Sequence, residues 1–117
     1  MVEAPGNDAR TEAVLAEVRR TVPNKPVRYV INTHHHSDHA GGLRGYVAEG
    51  ITIITHELNK PYYERIFRNP HTLNPHNLAR AGRTPVIEGV GERRVLTDGT
   101  RTSRFTTCAT TITTRRC

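Results

Sequence analysis

Four histidines and one aspartate lie within six consecutive positions of the stretch THHHSDHAGG. Imidazole nitrogen and carboxylate oxygen are common ligands of divalent zinc, and catalytic zinc sites combine three protein ligands with water. Because side chains alternate along an extended segment, His34 and His36 can converge on one metal while His35 points away. Asp38 and His39, one turn further on, can present an oxygen and a nitrogen to a second metal. The spacing therefore predicts a two-metal site whose bridging water attacks a carbonyl or phosphoryl group.

The alternative interpretation is a solvated loop that is rich in imidazole and binds metal adventitiously. The setting favours a true site, because the cluster follows a buried-type strand and ligand sites in α/β proteins lie at strand ends. Gly41 and Gly42 after the cluster permit close approach of the backbone. Of the remaining histidines, His56 follows another strand-like run and can reach the same edge but is not expected to be a metal ligand, and His71 and His76 are expected to be exposed in a loop.

Helical and strand-like patterns alternate along the chain and predict the elements that position this cluster. The predicted elements, in chain order, are a helix over residues 8–20 capped by Asp8, a buried strand over 27–32, a short helix in AGGLRGYVAEG stopped by Gly50, a strand over 51–55, a helix capped by Asn59 with Pro61 in its first turn, one turn of helix after Pro75, and strands in TPVIEGV and RRVLTDGT. This order predicts an α/β layered fold without internal repeats or a domain linker. The last strand ends in Asp-Gly, which is a turn signal.

One group of apolar and aromatic side chains has helical spacing and is expected to pack in the core instead of lining a substrate pocket. Its members are Tyr62, Tyr63, Ile66 and Phe67. The composition, with 35% hydrophobic and 24% charged residues, is ordinary for a soluble protein. No apolar run approaches the roughly 18–20 residues of a membrane-spanning helix. No signal peptide is visible either, and the compartment stays open.

The net charge of +6 is concentrated at the end of the chain, where residues 101–117 carry four arginines and no acid. A basic tail can bind nucleic acid, but lysine-rich runs and interleaved aromatic residues that would support this function are missing from it. Cys108 and Cys117 lie in the same tail without the spacing of a zinc knuckle or a disulfide framework. A nucleic-acid binder is therefore the least favoured of the functions considered.

The stretch THHHSDHAGG resembles the His-x-His-x-Asp-His signature of the metallo-β-lactamase superfamily, and VRYVINTHHHSDHAGGL is similar to its usual strand–loop–helix setting. The resemblance extends through VEAPGNDAR and AEGITIITHELNKPYYERIF, over about residues 2–101. It implies a four-layer α/β/β/α sandwich that binds two zinc ions. It also implies hydrolysis of small molecules, among them lactams, thioesters, lactones, phosphoesters and compounds with other bonds. By this resemblance His34 and His36 bind the first zinc. Asp38 and His39 bind the second, and Asp38 also orients the nucleophilic water.

The chain departs from the family pattern, because the family completes its sites with a histidine, a bridging aspartate and a final histidine further along. No histidine follows His76, and the N-terminal strands of the family are missing. We therefore expect residues 1–101 to be a partial metallo-β-lactamase-like domain that binds zinc weakly, folds marginally and has little or no activity. A non-catalytic metal-binding or partner-binding remnant is the alternative.

Residues 102–117 differ in composition from the rest, with seven threonines and no acid, and predict an irregular basic tail. One permitted set of codons for residues 103–115, shifted by one base, encodes Val-Ala-Leu-His-His-Met-Arg-Asp-Asn-Asp-His-Asn-Ala. That sequence resembles the family's next motif, a strand leading to Asn-x-His. The hypothesis is a frameshift near residue 102, which the nucleotide sequence of the gene tests directly.

Overall fold

The structure is a computed structural model that describes residues 1–73 and 75–107, and the following bounds refer to those residues. The elements, in chain order, are α1 (Asp8–Thr21), β1 (Tyr29–Ile31), α2 (Ser37–Ala40), α3 (Leu43–Ala48), β2 (Thr52–His56), a 3₁₀ turn (Glu57–Asn59), α4 (Lys60–Ile66), α5 (Asn77–Ala81), β3 (Ile87–Val90), β4 (Arg93–Thr97) and β5 (Thr102–Thr106). The predicted order of helices and strands is confirmed. No helix in the described part of the chain is long and apolar enough to cross a bilayer.

The first three strands form a parallel sheet in the order β1-β2-β3. Val30 lies opposite Ile53 in the first pair, and Ile53 lies opposite Ile87 in the second. Parallel neighbours need a crossover connection, and the helices between these strands supply it. The run ITIIT is buried along most of its length, as expected for the middle strand of a covered parallel sheet.

The hydrophobic core lies between this sheet and the helices. Ile53 and Leu43 are fully buried, and Tyr63 is 1% exposed. The expectation for the aromatic group is confirmed, because Tyr62, Ile66 and Phe67 are partly buried against the same core. The remaining buried members of this cluster are Ala4, Leu15, Val30, Tyr46, Val47, Ile51, Leu78 and Ile87.

Strands β4 and β5 form a separate antiparallel hairpin, in which Thr97 pairs with Thr102. The predicted Asp-Gly turn joins them: Asp98 Oδ1 accepts hydrogen bonds from the backbone N–H groups of Thr100 and Arg101, and Gly99 has a φ of 89°. The burial of β4 alternates along the strand, so only one side is partly covered. This hairpin thus has a thinner apolar face than the parallel sheet.

The structure differs from the expectation of an irregular tail at residues 102–106, which form β5. Threonine and phenylalanine favour extended backbone, and β4 supplies the pairing partner that the composition of the tail does not reveal. The division of the chain at residue 101 remains a prediction. Arg115, Arg116, both cysteines and most of the proposed frameshifted segment fall within residues 108–117, outside the described residues.

Two helix caps differ from the predictions. Asn7, not Asp8, caps α1, because the Asn7 Oδ1 atom accepts a hydrogen bond from the backbone N–H of Arg10 at 3.1 Å. Asn59 precedes α4, but its side chain makes no capping bond. Its Nδ2 atom instead donates to the Thr55 Oγ1 atom at 3.1 Å, so this buried amide ties the start of α4 to the end of β2. Gly50 follows α3 with a φ of 79°, as its predicted role as a stop requires.

Candidate metal centre

The His-x-His-x-Asp-His cluster begins just beyond the end of β1 and runs into α2. Asn32, at the base of the cluster, is 2% exposed, and its backbone N–H donates to the Ile54 carbonyl of β2 at 2.9 Å. The cluster therefore starts from a fixed point on the sheet. His36 is the residue before α2, so Asp38 and His39 lie in the first turn of that short helix. This position at a strand end is the one that the sequence predicts for a ligand site.

The side chains of the cluster lie close to one another. The ring centroids of His34 and His36 are 4.8 Å apart, and those of His34 and His39 are 4.1 Å apart. The Asp38 Oδ2 atom lies 3.4 Å from the His39 Nε2 atom. His35 packs against the Tyr62 ring, with a centroid distance of 5.0 Å. Three imidazoles and one carboxylate thus lie close together at the surface, and the Asp38 side chain is 75% exposed.

The donor types fit a zinc ion, but the side chains are not arranged as a finished cage. No group of three or more histidine, cysteine, aspartate or glutamate side chains among residues 1–73 and 75–107 is placed to hold one metal ion. The His34 Nδ1 atom lies 2.9 Å from the Thr33 hydroxyl. Metal binding here requires side-chain rotations that bring the donors onto one point.

The environment of His34 disfavours the protonated form of its imidazole. Burial lowers the pKa of His34, and the neighbouring His39 and His36 lower it further. A metal binds the unprotonated nitrogen of a neutral imidazole, so a lowered pKa leaves this side chain in the binding form over a wider pH range. The electrostatics therefore agree with a ligand role for His34.

The N-terminal segment holds the cluster in place from the other side. The Ala4 N–H donates to the His39 carbonyl at 2.9 Å, and the Gly42 N–H donates to the Ala4 carbonyl at 2.7 Å. A Cβ atom at Gly41 would lie 2.1 Å from the Gly6 carbonyl oxygen, which no real contact allows. The Gly-Gly pair in the sequence signalled a close approach at this point. The identity of the approaching segment had no signal in the sequence.

The remaining histidines have local structural contacts. The His56 Nδ1 atom accepts a hydrogen bond from the Leu58 N–H at 3.1 Å, and the His76 Nδ1 atom accepts one from the Ala79 N–H at 3.1 Å, at the start of α5. The expectation that His71 and His76 are exposed is wrong: both are half-buried, with ring centroids 4.3 Å apart. A loop histidine that caps a helix turns its ring inward, and this explains the difference for His76.

Comparisons with known proteins identify the family. A sequence model described as the metallo-beta-lactamase superfamily matches residues 5–107 of the chain. The chain therefore belongs to the metallo-β-lactamase superfamily, a metal-dependent family that acts on small molecules and is generally hydrolytic. The described residues form a mixed α/β fold that resembles the metallo-β-lactamase fold and covers part of it.

Individual relatives match over limited lengths. The metallo-β-lactamase from Hirschia baltica has 27% sequence identity and a TM-score of 0.53, and the match covers 78% of this chain and 34% of that one. The mono-zinc form of the metallo-β-lactamase FIM-1 from Pseudomonas aeruginosa has 21% identity and a TM-score of 0.48, covering 78% and 33%. The alkyl/aryl-sulfatase BDS1 of Saccharomyces cerevisiae is 67% identical over 27 residues, which are 23% of this chain and 4% of the sulfatase. The chain thus spans about a third of the length of these solved structures and far less of the sulfatase.

Proposed function

We propose that His34, His36, Asp38 and His39 form part of the metal centre of a zinc-dependent hydrolase. The observation that carries this proposal is the grouping of three imidazoles and a carboxylate at the end of β1, with ring centroids 4.1 and 4.8 Å apart. Family membership over residues 5–107 supports the same reading. Residues of these types at a strand end are suited to zinc and to hydrolysis.

The four residues have different roles in this proposal. His34 and His36 hold the first zinc, and Asp38 and His39 hold the second. Zinc lowers the pKa of water and polarises the attacked group when it is bound. In this proposal the largely exposed Asp38 carboxylate also orients the nucleophilic water. The hydrolysed bond is that of a lactam, a carboxylic ester, a thioester or a phosphoester.

A sulfate ester is a further substrate class, and it comes from one specific observation. The short match to the yeast alkyl/aryl-sulfatase has 67% identity over 27 residues of this chain. An alkyl sulfate offers the electron-poor sulfur of an anionic sulfate group for attack, whereas a lactam offers its carbonyl carbon. Both electrophiles are attacked by water that a metal centre has activated.

The described residues offer two protein donors for each metal, and catalytic zinc sites use three. We therefore expect this chain alone to bind zinc weakly and to hydrolyse slowly or not at all. A protein that binds metal without turnover is the second candidate. The observation that favours it is that no three donors among the described residues meet at one point.

Calorimetric zinc titration of the unaltered chain, His36→Ala and His35→Ala tests the site. We expect His36→Ala to lower the zinc stoichiometry, because it removes one of the two donors to the first metal and leaves Asp38 and His39 for the second. His35→Ala is the matched control and should bind as the unaltered chain does, since His35 packs against Tyr62. Equal loss in both variants, or full binding in both, would contradict the assigned ligands.

Turnover separates hydrolysis from binding alone. The zinc-loaded chain is assayed with a chromogenic β-lactam, an aryl ester, an aryl phosphate and an aryl sulfate, each with and without a chelator. Slow, chelator-sensitive hydrolysis that is lost in His36→Ala supports the hydrolase. Zinc binding without turnover of any of these supports the binding protein.

A further inference from the structure

We propose that Glu3 is a positioning residue for the metal centre: its carboxylate accepts the Nδ1 proton of His39 and thereby leaves the His39 Nε2 lone pair free for the metal. This inference rests on the proposed function, because the free Nε2 lone pair matters only if His39 binds a metal. It concerns Glu3, Asn32 and Tyr63, none of which belongs to the ligand set.

The first observation concerns the two ring nitrogens of His39. The Nδ1 atom is buried and has no hydrogen-bond partner within ordinary distance. An acidic oxygen that faces it is Glu3 Oε2 at 3.6 Å, beyond a hydrogen bond but within ion-pair range. The Nε2 atom lies on the other side of the ring, 3.4 Å from Asp38 Oδ2. His39 thus has the Glu3 carboxylate on its Nδ1 side and Asp38, a proposed metal ligand, on its Nε2 side.

The second observation is that Glu3 is held in an uncommon backbone conformation. Its φ of 62° is positive, and among the described residues no other amino acid except glycine has a positive φ. The left-handed region costs a residue with a side chain about 1 kcal/mol, so the surroundings must compensate. The Glu3 N–H donates to the Ile31 carbonyl at 2.7 Å. This conformation directs the carboxylate toward the backbone at the start of the cluster.

The third observation is that both carboxylate oxygens of Glu3 have donors. The Thr33 N–H donates to Oε1 at 3.2 Å, and the Asn32 Nδ2 atom donates to Oε2 at 3.2 Å. The same Asn32 amide donates to the His39 carbonyl at 3.0 Å. These contacts hold the Glu3 carboxylate in a fixed position beside the His39 ring. A carboxylate fixed in this way draws the imidazole proton to the ring nitrogen that faces it.

Asn32 is fixed in turn by the core. The Tyr63 hydroxyl donates to Asn32 Oδ1, and both side chains are buried. Burial raises the pKa of Tyr63, so its hydroxyl keeps the proton that it donates. Because Asn32 Oδ1 accepts from Tyr63, its Nδ2 group must face Glu3 and His39. A continuous series of contacts therefore runs from the core, through Tyr63, Asn32 and Glu3, to His39.

The chemical consequence is a choice of tautomer. A neutral imidazole has one N–H, and a free histidine in water favours the proton on Nε2. A proton on Nδ1, directed at Glu3, leaves Nε2 as the atom with the lone pair on the Asp38 side. Histidine ligands of metals commonly donate their other N–H to a carboxylate in this way, which fixes the ring and raises its basicity.

The test measures the tautomer of His39 by two-bond ¹H–¹⁵N correlation NMR on the metal-free chain at pH 8. We expect the unaltered chain to carry the proton on Nδ1. Glu3→Gln removes the charge and keeps the shape, and should move the His39 population toward Nε2–H. Glu92→Gln removes an equal charge from an exposed position outside the cluster and is the matched control. Tyr63→Phe should shift the tautomer in the same direction as Glu3→Gln but less.

Zinc titration of the same proteins supplies the second measurement. We expect Glu3→Gln to bind zinc at least about tenfold more weakly than the Glu92→Gln control, the usual effect of removing such a partner. If Glu3→Gln does not fold, the unaltered chain still decides the matter, because an Nε2–H tautomer there would overturn the inference.

The two proposals fail in different ways. Zinc bound equally well by the unaltered chain and Glu3→Gln, with the same tautomer in both, refutes the role of Glu3 and keeps the metal site. A tautomer that depends on Glu3 in a chain that binds no zinc supports the Glu3 contact and refutes the metal site.

Discussion

The parallel sheet and the hairpin are built from strands of similar length but differ in what covers them. β2 is buried at three consecutive positions, whereas β4 alternates between exposed and half-buried side chains. The helices that connect parallel strands cover the sheet, and a two-residue turn brings no such cover to the hairpin. Among the described residues, the buried core cluster contains side chains of the parallel sheet and the helices and none of the hairpin.

The parallel sheet and the hairpin also differ in the polar side chains that they carry. The histidine cluster and its contacts with Glu3 lie at the end of the parallel sheet, whereas the hairpin is rich in arginine. An ion pair between Arg94 of β4 and Glu88 of β3 joins the two parts. The Thr107 hydroxyl closes the open end of the hairpin by donating to the carbonyls of Gly91 and Glu92. Both arginine and glutamate are partly exposed, so this ion pair adds little stability.

The largest expected difference between the two parts is in the free energy of unfolding that is lost when one apolar side chain is truncated in each. Ile53→Ala removes a fully buried side chain from β2 and should lower the free energy of unfolding by about 3 kcal/mol. Leu96→Ala removes a half-buried side chain from β4 and should cost about 1 kcal/mol or less. Urea denaturation followed by circular dichroism measures both. Equal losses would show that the hairpin is part of the same core.

A smaller difference in stability is expected between alanine variants of two glycines. One glycine is needed for lack of space and the other for its positive φ. Gly41→Ala places a Cβ atom 2.1 Å from the Gly6 carbonyl oxygen and should cost about 2 kcal/mol as the backbones separate. Gly99→Ala has open space but a φ of 89°, and should cost about 1 kcal/mol. Only Gly41→Ala should also weaken zinc binding, because it displaces α2. Thermal unfolding and zinc titration check both effects, and a Gly99 variant that lost zinc would contradict the separation.

The smallest expected effect is a loss of stability on mild acidification. Burial lowers the pKa values of His34, His71 and His76, and the charge of Arg44 lowers those of His71 and His76 further. Below about pH 6.5 the unfolded chain therefore binds protons that the folded chain does not, so stability falls as the pH falls. All three histidines lie outside the hairpin. Urea midpoints of the metal-free chain should decrease from pH 7.5 to pH 5.5, and a rising midpoint would refute this sign.

Features that depend on nearby sequence were predicted from the residues. The apolar ITIIT run, the amphipathic first helix and the Asp-Gly turn each carry their signal within a few positions, and each was found. The location of the histidine cluster at a strand end was predicted for the same reason. The assignment of His34, His36, Asp38 and His39 to metals stays a prediction, because their chemistry is local but the arrangement of their donors is not.

Features that depend on distant partners were missed. Nothing in VEAPGN indicates that Glu3 faces His39, since the two residues meet only after β1 and α2 have formed. Asn59 has the composition of a cap but donates to Thr55, because burial beside β2 offers its amide a better partner. The strand at residues 102–106 escaped prediction because its pairing with β4, and not its own pattern, defines it.

The central position of β2 has a consequence for hydrogen exchange. β2 pairs with β1 on one side and β3 on the other, and its ladder continues to the Asn32 N–H at the base of the cluster. Amides with this protection exchange with solvent deuterium only through the larger openings of the structure, whereas hairpin amides exchange through local fraying. The cluster is therefore attached to the backbone that we expect to open least often. Its side chains can change rotamer while the hydrogen bonds of that backbone stay intact.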